Sequence, residues 1–123
     1  MQDSIISNIN TNLFFVFGGY YIVYMENGIY KIEEIKSRLA PVFEKSGVKS
    51  AILFGSYARG NPRVKSDVDL LVDSGLKGLD FCGLIEYVHM ALNKRVDVID
   101  VRFVEKGSRI DNEIRETGVR IYG

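Results

Sequence analysis

The sequence predicts an α+β protein: one mixed β-sheet with helices packed on it. Segments whose apolar residues recur at helical spacing alternate with short runs that read as strands, from residue 30 to the end of the chain. The length of 123 residues suits one hydrophobic core rather than two. A composition of 46% hydrophobic and 26% charged residues is that of an ordinary globular domain, which excludes disordered and fibrous architectures.

Taken in order, residues 1–24 stand apart. They hold no Lys or Arg and a single acid, Asp3, and residues 13–24 form the uncharged stretch LFFVFGGYYIVY. That stretch is well short of the ~20 apolar residues of a membrane span. It also lacks the positively charged start and small-residue cleavage pattern of a signal peptide. Met25 opens MENGIYKIEEIK, which reads as an ordinary N-terminus. The expected division is an N-terminal extension over 1–24, upstream of a start at Met25, and one domain over 25–123. The other reading of 1–24 is an extra strand or helix packed on that domain. Within the domain, Ile32, Ile35, Leu39 and Phe43 give residues 30–46 a helical period, with Pro41 expected to bend or interrupt the helix. Residues 48–54 are a short apolar run ending at Gly55, the pattern of a buried strand. Residues 67–73 begin by alternating carboxylates with Val68 and Leu70, as a half-buried strand does. A helix is expected over 79–92, a strand over 95–101, a short helix over 110–116 and a last strand over 119–122. No internal repeat or low-complexity stretch interrupts this order.

Sixteen basic residues balance sixteen acidic ones, so the chain has no charge excess with which to grip nucleic acid, and direct nucleic-acid binding is not expected. One cysteine, Cys82, rules out a disulfide scaffold and favours a cytoplasmic setting. With the single histidine, His89, it leaves no Cys/His cluster for zinc.

The stretch that carries chemistry is FGSYARGNPRVKSDVD, residues 54–69. On a strand, Asp67 and Asp69 project from one face with Cα atoms roughly 6.5 Å apart. Two carboxylates so placed repel, and a pair of divalent cations would keep both ionised; oxygen-only ligands point to magnesium or manganese. An isolated Asp-x-Asp is more simply two solvent-facing acids, but what precedes this pair changes the balance. Gly55-Ser56 follows a buried strand, where glycine allows close backbone approach and serine offers a cap and a hydroxyl to an anion. On its own that motif reads equally as an ordinary strand-to-turn glycine. It is not a Walker A loop, because Asn61 and Pro62 stand where Lys and Ser/Thr belong, and no G-x-G-x-x-G is present. Arg59, Arg63 and Lys65 follow with no acid among them. Arg59 is nearest the phosphate turn and is the preferred anion contact, whereas Arg63 and Lys65 read equally as a solvated loop. Asp97 lies mid-strand between Val96 and Val98, where a charge needs a partner. Asp100 has the opposite parity, so Asp97 is the one that joins the pair, unless it merely faces water on an edge strand.

Gly55-Ser56, ten residues, then Asp67-x-Asp69 resembles the G-S-x10-D-x-D signature of the DNA polymerase β superfamily of nucleotidyltransferases. The strings LFGSYARG and SDVDLLV, the GVRIYG ending and the small size resemble the minimal nucleotidyltransferases, the antitoxin halves of HEPN/MNT toxin–antitoxin pairs. The resemblance covers residues 30–123. It implies a nucleotidyltransferase fold in one minimal domain. ATP would lie with its triphosphate along Gly55-Ser56 near Arg59, and two magnesium (or manganese) ions would be held by Asp67, Asp69 and Asp97. Asp97 would also assist deprotonation of the attacking hydroxyl. The partner implied is a HEPN ribonuclease toxin, whose tyrosine hydroxyl receives AMP. Competing readings are an antitoxin that acts by complex formation alone, and nucleotidyl transfer to a small molecule or RNA. His89 and Cys82 are left structural, with Cys82 expected in the core.

Overall fold

The computed structural model describes residues 28–123, together with the backbone of two short strands before them, β1 (Leu13–Val16) and β2 (Tyr21–Tyr24). These strands pair antiparallel, Leu13 opposite Tyr24. The proposed start at Met25, and most of the 1–24 extension, lie outside the described residues.

Helix α1 (Ile32–Ser46) buries Ile35, Leu39 and Phe43, one residue per turn, as the apolar spacing requires. Glu34 accepts a hydrogen bond from the Lys31 amide at 2.7 Å and so closes its first turn. Gly47, at φ +72°, ends it. Of the two outcomes expected at Pro41, interruption does not occur: the helix runs through it. Pro41 and Ser37 are both exposed, so the Ser37 carbonyl that loses its amide partner is open to hydration. The buried stripe on the other flank holds the helix across the missing bond.

A four-stranded sheet forms the centre, in the order β5–β4–β3–β6. Its strands are β3 (Ser50–Phe54), β4 (Val68–Asp73), β5 (Val96–Asp100) and β6 (Val119–Tyr122). β3 runs antiparallel to both β4 and β6, whereas β4 and β5 are parallel. That parallel pair needs a crossover, which α3 (Gly78–Leu92) provides. Leu84, Val88 and Leu92 of α3 join the α1 stripe over Ala51, Leu53, Val68, Leu70, Val72, Val96 and Ile121 to make one core. The Tyr30 hydroxyl, two residues ahead of α1, donates to Leu92 O at the end of α3 at 2.5 Å.

The buried stripe of α3 has a consequence for Cys82. At 100° per residue it stands about 200° around the helix from Leu84, and it is exposed rather than in the core. His89 is structural, its Nε2 2.9 Å from Val96 O at the start of β5. Two further helices sit on the site side of the molecule. α2 (Gly55–Arg59) follows β3 directly, and α4 (Arg109–Thr117), capped by Ser108, packs on α2 and β3. No helix among the described residues is long and apolar enough to cross a membrane.

Candidate active site

The end of β3 sets the first part of the site. Phe54 lies opposite Asp69 of β4, and the chain turns at Gly55 with φ +77° into α2. A Cβ on Gly55 would collide with Asp69 Oδ2 and stand only 3.1 Å from Asp69 Cγ. Both the backbone conformation and the space therefore require glycine. The Gly55-Ser56 turn and the Asp67–Asp69 motif, separated in sequence, are in contact in the fold.

The alternation of β4 places Val68, Leu70 and Val72 in the core and turns Asp69 the other way. Asp67 stands one residue before the strand. In the parallel ladder Asp97 of β5 is the register partner of Asp69, close enough for its charge to raise the Asp69 carboxyl. The cleft formed here has a volume of about 520 Å³ and is lined by Gly55, Ser56, Arg59, Asp67, Asp69 and Glu113, with Phe54, Ser66, Arg109 and Ile110. Asp97 stands outside that lining, on the far side of Asp69 at the edge strand. Arg63 and Lys65 are exposed and line none of it.

Burial first, and then the negative charges of Asp97, Asp67 and Glu113, together raise the Asp69 carboxyl from 3.8 to about 6. Asp69 thus feels the charge of three other acids, two of which have a cation beside them. Arg95 Nε lies 3.7 Å from Asp67 Oδ2. Arg59, expected to reach for phosphate, is ion-paired with Glu113. Asp100 confirms the parity argument from the other side: it is buried, 2% exposed. Burial favours its neutral form, but Arg102, donating from its amide at 2.8 Å and its Nε at 3.0 Å, outweighs this and holds the carboxyl below its usual range.

As to a metal, no group of three His, Cys, Asp or Glu side chains among the described residues is gathered so as to hold an ion unaided. The donor chemistry still fits a hard divalent cation. Magnesium binds through one or two carboxylates and completes its shell with water and substrate phosphate oxygens, and the repulsion carried by Asp69 is what such a charge would relieve.

Sequence reasoning missed Glu113, Arg109 and Ser66. Arg109 and Glu113 enter the cleft because α4 packs on α2 and β3, and nothing local in RIDNEIRET marks them.

A glycine turn against two strand-borne carboxylates, on a mixed sheet backed by two helices, defines the nucleotidyltransferase fold. The chain matches the family described as "Polymerase beta, Nucleotidyltransferase" over residues 33–123, and it belongs to that family. Among its relatives is "Protein adenylyltransferase MntA" of Thermococcus cleftensis, 42% identical over 77 residues, a match covering 55% of this chain and 75% of the relative. Among solved structures, a toxin–antitoxin complex with AMP-PNP superposes with TM-score 0.61 at 22% identity, covering 72% of this chain and 73% of that one. The tri-AMPylated Shewanella oneidensis HEPN toxin in complex with MNT antitoxin superposes with TM-score 0.57 at 19% identity, covering 75% and 72%. At these identities the structural likeness is one of fold.

Proposed function

We propose that this nucleotidyltransferase is an antitoxin that transfers AMP from ATP to a tyrosine hydroxyl of a HEPN-type ribonuclease toxin. The observation that carries the reading is the register of Asp69 against Asp97 beside a glycine turn that accommodates no side chain. The relative named as a protein adenylyltransferase and the solved HEPN–MNT assembly of like fold supply the acceptor class.

In this reading the turn at Gly55 and Ser56 holds the triphosphate through backbone N–H groups and the Ser56 hydroxyl, and Arg59 adds a cation. Asp67, Asp69 and Asp97 would hold two divalent ions, magnesium with manganese as the alternative, which neutralise charge on the entering and leaving oxygens when bound. Asp97, on the exposed edge strand, lies on the side open to a macromolecular acceptor and takes the proton from the attacking hydroxyl. The acceptor oxygen bonds to the α-phosphorus, the bond to the β-phosphate oxygen breaks, and pyrophosphate leaves. Nothing in the reaction needs His89.

Incubation with magnesium, ATP labelled at the α-phosphate and a HEPN-type partner tests the proposal. Label is expected on a partner tyrosine and is expected to vanish with Asp67→Asn. Undiminished neutralisation of the toxin by that variant would move the function to complex formation. Label on RNA or a small molecule, and never on protein, would move it to another acceptor.

A further inference from the structure

Glu113 sits in the middle of α4, and its carboxylate takes Nη1 of Arg59 in an ion pair across the cleft wall. The pair is partly open to water, the Arg59 side chain 43% and the Glu113 side chain 28% exposed. An ion pair so exposed adds little to stability. What it does change is the cleft. A guanidinium at the end of α2, one turn from Ser56, loses rotamer freedom before any ligand arrives, so that ordering cost is removed from binding. The pair also neutralises a carboxylate lining the space shared by Ser56 and Asp69, where an uncompensated Glu113 would repel phosphate.

The helix that carries Glu113 is anchored at both ends. Ser108 Oγ accepts from the Asp111 amide at 3.2 Å and Asp111 accepts from the Gly107 amide at 2.8 Å. The Thr117 hydroxyl donates to Glu113 O at 3.0 Å. Asp111 also pairs with Arg115 at 3.1 Å, whereas the carboxylate of Glu113 is the one of this helix that lines the cleft and pairs with Arg59.

We infer that Glu113 is a positioning residue for the nucleotide: it docks Arg59 at the cleft wall and leaves the other guanidinium N–H donors for the phosphates. This rests on the reading that the triphosphate lies along Gly55-Ser56, and the test is arranged so that the two can fail separately.

The experiment measures equilibrium binding of AMP-PNP with magnesium, transfer kinetics and melting temperature. It uses the full chain and four variants: Glu113→Gln, Arg59→Ala, both together, and the exchange Arg59→Glu with Glu113→Arg. Arg59→Ala is expected to weaken nucleotide binding on the order of 10- to 100-fold. Glu113→Gln should weaken it by several-fold, raising KM with kcat little changed. The double variant should bind no worse than Arg59→Ala, and better if the lone carboxylate repels phosphate. The exchange should keep the melting temperature near that of the native chain and leave nucleotide binding as weak as in Arg59→Ala. The inference is overturned if Glu113→Gln weakens binding equally with and without Arg59. It is equally overturned if the exchange restores affinity together with melting temperature, since that would make the pair structural. A native chain that binds AMP-PNP while Glu113→Gln is indifferent defeats this inference alone. A native chain that does not bind AMP-PNP defeats the nucleotide reading and this one with it.

Discussion

Replacing Gly55 with alanine tests the link between the phosphate turn and the carboxylates. Two effects are expected, and a control separates them. The first is backbone strain: alanine at φ +77° costs ~1–2 kcal/mol. Gly47 has nearly the same conformation, φ +72°, but nothing lies within 4 Å of a Cβ there, so Gly47→Ala carries the strain alone. The second effect belongs to Gly55 only. Its Cβ would overlap Asp69 Oδ2 and crowd Asp69 Cγ at 3.1 Å and Cβ at 3.4 Å. Restoring ordinary contact distances moves that carboxylate by about 1 Å, and a misplacement of this size at a reacting centre costs ~100-fold in rate. Both variants should therefore lose roughly 3–10 °C in melting temperature. Only Gly55→Ala should lose about two orders of magnitude in transfer of labelled AMP, ~2.7 kcal/mol of barrier. A Gly55→Ala protein that transfers as fast as Gly47→Ala would refute the argument that this turn exists to let Asp69 approach.

Three other outcomes follow from the geometry. In metal-free protein the Asp69 carboxyl is raised from 3.8 to about 6, so its contribution to stability is full below pH 3.8 and is lost as pH rises through about 6. That rise is worth at most ~3 kcal/mol, screened by solvent in the open cleft to ~1 kcal/mol; the melting temperature of the native chain minus that of Asp69→Asn in chelator should fall between pH 4 and pH 6, and a flat difference would contradict it. Pro41→Ala should stabilise the protein by ~2 kcal/mol in urea unfolding, because it supplies the amide missing from the exposed middle of α1; a loss of stability would show that the ring is needed there. Cys82, exposed on α3, should react with a thiol reagent at the rate of a free cysteine without unfolding, and protection would place it in a contact.

The elements were legible because each has a local cause. The strand β4 declares itself through Asp67 and Asp69 alternating with Val68 and Leu70, and the same period of two rejected Asp100 in favour of Asp97. The core stripe of α1 could be read from Ile35, Leu39 and Phe43. Helix α3 was different. It is apolar on most of its circumference, with Leu79, Tyr87 and Met90 exposed, so its sequence does not say which side faces the sheet, and Cys82 was placed on the wrong one. An interruption at Pro41 fails for a related reason: local propensity allows a break there, and burial of three large side chains overrides it.

Taken alone, the chain of residues determined the order of the four sheet strands and the three longer helices, the opposite faces of Asp97 and Asp100, and the spacing of the glycine-serine turn from the aspartate pair. All of these are short-range properties governed by backbone period and turn chemistry. Only the tertiary structure decided that β4 and β5 are parallel neighbours in a register setting Asp69 against Asp97, that a Gly55 side chain would strike Asp69, and that α4 brings Glu113 to Arg59. The physical reason is that these meetings join residues far apart along the chain. They depend on how strands choose partners and helices choose faces to bury apolar area, which is settled by the packing of the whole core.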